Sequence, residues 1–289
     1  MSPVLKVVLA AIIWGSTGAF VKGLQLPTNT VVLFRVLVPA ILAAAILALR
    51  KEEIPSLRNP KLLLASFINA LRLFFYVLTY VWTTMGNAVV VLYAAPIFMA
   101  LMERFWLKKS LSVLTQVAIV IGFSGVLVVY YGRSGSVSGD QDYLGIISML
   151  ISALLYAVTT ILFKEELKTR NALQVLYCQN ILGVVLFGAL FLYHPVWPSL
   201  AQCGLGITYG LVIGFTGFML FFSALKEIAV SHAAGLTYLE VVGGIFMGWL
   251  LFDETLTIPL ILGAILILGA ASLIQIGQSF LPPHGNLRK

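Results

Sequence analysis

Charge is scarce in this chain. It has 18 Lys and Arg and 11 Asp and Glu among 289 residues, so charged side chains make up 10%. A soluble domain carries roughly 25% charged and 45–50% apolar residues; here the hydrophobic share is 60%. So few charges cannot cover a water-soluble body of this size. Cysteine is scarcer still: Cys178 and Cys203 are the two present, each in or beside an apolar segment. That excludes a disulfide framework and any C-x-x-C metal or redox motif. Three histidines, His194, His232 and His284, are too scattered to suggest a metal cluster. No Walker A, zinc-binding or nucleophile-elbow pattern occurs. These absences exclude a soluble enzyme, a secreted disulfide scaffold and, because the net charge of +7 is split into short clusters with no basic face, a nucleic-acid module.

Long apolar runs are what the chain has in abundance. A bilayer core is about 30 Å thick and takes about 20 helical residues to cross. Ten segments meet that length: 4–21, 31–49, 62–83, 88–107, 113–131, 143–163, 172–193, 203–225, 230–252 and 258–277. Lipid offers no partner to an exposed backbone N–H or C=O, so these read as helices. The first run, with Trp14 and Lys22 and no small-residue cleavage box, reads as a retained span rather than a signal peptide. The Gly/Ser-rich stretch from Gly132 to Asp142 reads as a linker. The expected fold class is all-α and polytopic, in the cytoplasmic membrane. With the N-terminus inside, fourteen of the eighteen basic residues fall on the cytoplasmic side, which predicts both termini cytoplasmic.

The chain also repeats itself. Asn87-Ala-Val-Val-Val-Leu-Tyr93 matches His232-Ala-Ala-Gly-Leu-Thr-Tyr238 at an offset of 145, and Ser110-Leu-Ser112 matches Thr255-Leu-Thr257. Near the front of each half, Leu9-Ala-Ala-Ile-Ile-Trp14 parallels Ile151-Ser-Ala-Leu-Leu-Tyr156, and Lys22 pairs with Lys164. Each half, 1–137 and 138–289, holds five predicted spans. Five is odd, so the second half is expected to sit inverted, a recurring plan of secondary transporters.

Two stretches carry a family resemblance. The first runs through Ala88, Ala94, Ala95, Pro96, Phe98 and Ala100 to Gln116, Gly122 and Gly125. The second runs from Tyr238-Leu239-Glu240 and Gly248 through Phe252-Asp253-Glu254 to Gly263 and Gly269. With Trp14-Gly15-Ser16 and Phe34-Arg35, they resemble the EamA family of the drug/metabolite transporter superfamily, in two copies. Lys108-Lys109 stands where that family often has Gly-Glu, and Val241 where it often has proline. The resemblance implies a ten-helix transporter with no ATPase part and no cofactor, not an enzyme. Its relatives move amino acids, metabolites, nucleotide-like compounds or drugs, commonly outward.

Ionisable residues inside spans usually face the bundle interior or a water-filled cavity. Three lie inside spans here: Arg35, Arg72 and Glu240. Arg35 either snorkels to the outer headgroups or clamps an anion. Arg72 shares a helical face with Asn69, Tyr76, Tyr80 and Thr83, a polar stripe suited to line a cavity. A guanidinium fork suits a carboxylate or phosphate. Glu240 either pairs with an arginine, binds a substrate ammonium or carries a coupling proton. Trp14, Tyr93, Tyr238 and Asn180 are further candidate substrate-binding residues, with Tyr93 and Tyr238 a pseudo-symmetric pair. Trp106, Trp197 and Trp249 read as interfacial aromatics, and Pro39 and Pro96 as span prolines with Pro96 the better hinge. The leading expectation is a secondary exporter of a small organic metabolite, an amino acid or other carboxylate, acting as monomer or homodimer. The alternative is a proton-coupled exporter of cationic or aromatic drug-like compounds.

Overall fold

The computed structural model describes residues 1–56, 59–95, 97–98, 101–102, 113–132, 141–228, 233, 236–237 and 239–279. The described elements are helical. They comprise α1 (Pro3–Gly15), α2 (Thr17–Leu24), α3 (Thr28–Leu49), α4 (Pro60–Trp82), α5 (Met85–Leu92) and α6 (Val113–Tyr131). After these come α7 (Asp142–Glu166), α8 (Ala172–Tyr193), α9 (Leu200–Tyr209), a π-helical segment (Gly210–Gly217), α10 (Phe218–Leu225), α11 (Leu239–Phe252) and α12 (Ile258–Ser279). Polar side chains start several of them. Asn59 Oδ1 accepts from the Lys61 amide, and Asn171 with Gln174, and Ser199 with Gln202, form reciprocal capping boxes.

Among the described residues, six helical stretches are long and apolar enough to cross a membrane: Pro3–Leu24, Thr28–Leu49, Pro60–Trp82, Asp142–Glu166, Ala172–Tyr193 and Leu200–Leu225. Three shorter apolar helices, Gln116–Tyr131, Leu239–Phe252 and Ile258–Leu273, accompany them. The chain is an all-α, multi-pass membrane protein. Its surface is apolar and its interior holds charged groups: Ile265 and Val120 face outward at 63% and 67% exposure, while Arg35 and Glu240 are 2% and 5% exposed. Lipid makes that arrangement stable, because outward leucine, isoleucine and valine lose nothing there.

The first predicted span is broken. α1 ends at Gly15 and α2 begins at Thr17, with the Ser16 hydroxyl donating to the Ile13 carbonyl at 2.7 Å. The fourth loosens into a turn at Tyr93 and Ala94, ahead of Pro96, which itself lies outside the described residues. The eighth becomes the π-helix for two turns, leaving Gly210, Gly214 and Gly217 buried. Widened turns of this kind are frequent at functional sites.

α4 packs along α7 and α8, α3 along α8, α6 along α12, and α1 against α11 and α10. The α1–α11 crossing is close because a Cβ on Gly15 would lie 2.9 Å from the Gly243 Cα. Polar contacts sort the helix ends into two groups. At one end Lys6 pairs with Glu227 at 2.6 Å, and the Asn171 amide donates to Glu52 at 2.5 Å. At the other, Lys22 pairs with Glu254 at 2.7 Å and the Gln202 amide donates to the Leu24 carbonyl at 2.9 Å.

Candidate functional site

A cavity lies among α1, α2, α3, α4, α7, the π-helix, α10 and α11, with Leu92, Tyr93 and Ala95 completing its wall. Its polar lining is Trp14, Thr17, Arg35, Arg72, Tyr76, Tyr93, Tyr156, Thr160, Thr237 and Glu240. Stretches early and late in the chain contribute in nearly equal measure.

Arg35 does not snorkel. It is 2% exposed, and its guanidinium carbon lies 4.7 Å from the Phe218 ring centre. Its Nη1 has no hydrogen-bond partner among the described residues. The same is true of Trp14 Nε1 and Thr17 Oγ1, both also on the cavity wall. Buried donors are normally satisfied, because an unpaired one costs about 1–3 kcal/mol. Three such groups on one wall leave the cavity short of acceptors. Two glycines of the π-helix make this possible. A Cβ on Gly214 would approach Arg35 Nη1 to 2.9 Å, and one on Gly217 would approach Trp14 Nε1 to 2.5 Å.

Arg72 is fixed differently. Its Nε donates to Asn69 Oδ1 at 3.2 Å, and its guanidinium carbon lies 5.2 Å from the Tyr156 ring centre and 6.0 Å from that of Tyr76. Asn69 is held in turn by α8: its amide donates to the Gln179 carbonyl at 2.9 Å, and the Gln179 amide donates back to Asn69 Oδ1 at 3.3 Å. A smaller hollow lined by Asn69, Gln179, Thr159 and Phe163 shares Arg72, Tyr156 and Thr160 with the main cavity.

Glu240 has no salt bridge to Arg35 or Arg72 among the described residues. Two phenols reach it instead. Tyr76 Oη donates to Oε1 at 3.5 Å and Tyr93 Oη to Oε2 at 3.2 Å. Tyr80 Oη donates to Tyr76 Oη at 3.3 Å, so Tyr80 stands behind Tyr76 rather than on the cavity wall. Tyr93 Oη also donates to the Thr237 carbonyl.

Of the residues read from sequence, Trp14, Arg35, Arg72, Tyr76, Tyr93 and Glu240 come together on the wall. Asn180 does not. It is fully buried in α8, its amide donating to the Leu176 carbonyl one turn back at 2.8 Å. Tyr238 and His232 lie outside the described residues, as do Trp106, Lys108 and Lys109. Sequence reasoning missed Thr17, Phe218 and Phe221 as lining residues, for which composition carries no signal. It also passed over two legible ones. Tyr156 is the repeat partner of Trp14, and Gly206, Gly210, Gly214 and Gly217 recur at helical spacing.

The EamA-like transporter family matches residues 1–131 and again 143–276. The chain belongs to that family. It is 27% identical over 287 residues to an uncharacterized transporter, YoaV, of Bacillus subtilis (strain 168), covering 91% of this chain and 93% of that one. The S-adenosylmethionine uptake transporter of Rickettsia prowazekii (strain Madrid E) is 24% identical over 191 residues, covering 65% of this chain and 62% of the relative. A crystal structure superposes with a TM-score of 0.65 at 16% identity, covering 94% of this chain and 97% of the other, a likeness of fold. An EamA-like protein is a small-molecule membrane transporter, which supports a non-enzymatic role. Among the described residues no group of three or more His, Cys, Asp or Glu could hold a metal ion.

Proposed function

We propose that this EamA-like protein is a secondary active exporter of a small organic carboxylate, an amino acid among the candidates, working by alternating access. Ten spans form two inverted five-helix halves, 1–137 and 138–289, with both termini cytoplasmic. Arg35 and Arg72 hold the carboxylate; Trp14 and Phe218 pack the remainder. The observation that carries this reading is the set of unpartnered donors at Arg35 Nη1, Trp14 Nε1 and Thr17 Oγ1, on a wall that also carries the Arg72 guanidinium. A carboxylate supplies four acceptor sites and opposite charge. S-adenosylmethionine, named for one relative, carries an amino-acid end of that kind.

The test is a thermal-stabilisation screen of purified protein against carboxylates, amino acids and cations, followed by proteoliposome flux with and without a proton gradient. Carboxylates raising the melting temperature in the wild type but not in Arg72→Ala is the expected result. Stabilisation by cations alone would refute it.

A second reading, proton-coupled export of a cationic or aromatic compound, draws on Glu240. Tyr93 has one phenolic proton and two acceptors, the Thr237 carbonyl and Glu240. A protonated Glu240 would donate to Tyr93 Oη while Tyr93 donates to Thr237, satisfying all three. Proton uptake therefore has a ready hydrogen-bond rearrangement at this carboxyl.

A further inference from the structure

One buried carboxylate ties three segments together at one end of the bundle. Glu254 lies in the turn between α11 and α12 and is 8% exposed. Its Oε1 accepts from Lys22 Nζ at 2.7 Å and from the Met85 amide at 2.9 Å. Its Oε2 accepts from the Met85 amide at 2.8 Å and the Gly86 amide at 3.3 Å. Those amides are the first of α5, where unpaired N–H groups and the helix dipole favour an anion. The backbone is shaped for the contact. Asp253 takes φ of 52°, turning the chain inward, and a Cβ on Gly248 would lie 2.5 Å from Glu254 Oε2. Beside it the Thr83 hydroxyl donates to Asp142, adding the start of α7.

Each tied segment leads into the cavity wall: α2 from Thr17, α5 at Leu92, and α11 at Glu240.

We infer that Glu254 is a gate latch that holds the Lys22 end of the transport cavity shut. The latch stands on the contacts above and rests on the reading of this cavity as the transport site.

The experiment needs no known substrate. In a Cys178→Ala, Cys203→Ala background, Thr17→Cys places a thiol on the cavity wall. A membrane-impermeant methanethiosulfonate is added to one side or the other of sealed vesicles. The expected result is a rise of about tenfold or more in labelling from the Lys22 side in Glu254→Gln, a displacement of the two-state balance. Lys22→Met, which keeps the amide contacts to α5, moves the rate the same way and carries the test if Glu254→Gln does not fold. Unchanged labelling from the Lys22 side in the folded variants overturns the latch.

Discussion

Arg35 Nη1 occupies the space that a side chain on Gly214 would fill, since a Cβ there would lie 2.9 Å from it. The π-helix turns this glycine to α3, and the guanidinium lies against it with Phe218 on one face. Gly214→Leu should displace Arg35 without altering its charge. The expected outcome is a loss of carboxylate affinity of about tenfold or more, roughly one charge-assisted hydrogen bond. Ligand-dependent shifts in melting temperature check it; unchanged affinity would show that Arg35 does not bind the anion.

Arg72 should be less replaceable than its charge suggests. Its Nε bond to Asn69 and its place over Tyr156 use the planar fork. Arg72→Ala and Arg72→Lys should both lose flux, by at least about tenfold, with protein that still elutes as a single folded species. Restoration of flux by lysine would mean that charge alone suffices.

The tyrosines around Glu240 separate coupling from binding. Tyr93→Phe removes the phenol that links Glu240 to Thr237. If Glu240 carries the coupling proton, Glu240→Gln should abolish the gap between flux with and without a proton gradient, while gradient-free exchange survives. Tyr93→Phe should narrow that gap. Equal responses to the gradient in wild type and Glu240→Gln would remove the carboxyl from coupling.

Stability should depend on helix crossings more than on peripheral ion pairs. Gly15→Leu must push α1 off Gly243 and should cost about 1–3 kcal/mol, an overpacking penalty. Lys6→Ala breaks the pair with Glu227, whose side chain is 49% exposed, and should cost less than about 1 kcal/mol. Melting temperatures in the same detergent compare the two.

Much of the site was legible because burying a charge in a membrane protein requires a reason. Arg35, Arg72 and Glu240 stood out as ionisable groups inside apolar runs, and all three line one cavity. The helical period correctly put Asn69, Arg72, Tyr76 and Tyr80 on the inward face of α4, where each is buried. Lys22 and Glu254 fall just past the apolar runs 4–21 and 230–252. In the fold they form a partly buried pair, because the turn at Asp253 brings Glu254 onto the α5 amides. A residue's distance from the end of an apolar run does not say whether a loop folds back over the bundle.

Composition and apolar periodicity by themselves determined that this is an all-α membrane protein, since scarce charge leaves lipid as the only solvent for so many apolar side chains. Motif order and duplication pointed to its family. Tertiary structure alone decided which polar groups meet. It decided that Arg35 turns inward instead of snorkelling, that Glu240 meets two phenols and neither arginine, and that Asn180 serves its own helix. Those outcomes depend on glycine-opened space and on crossings between residues far apart in the chain. Local pattern reports the face a residue occupies, whereas its partner is set by the helix packed against that face.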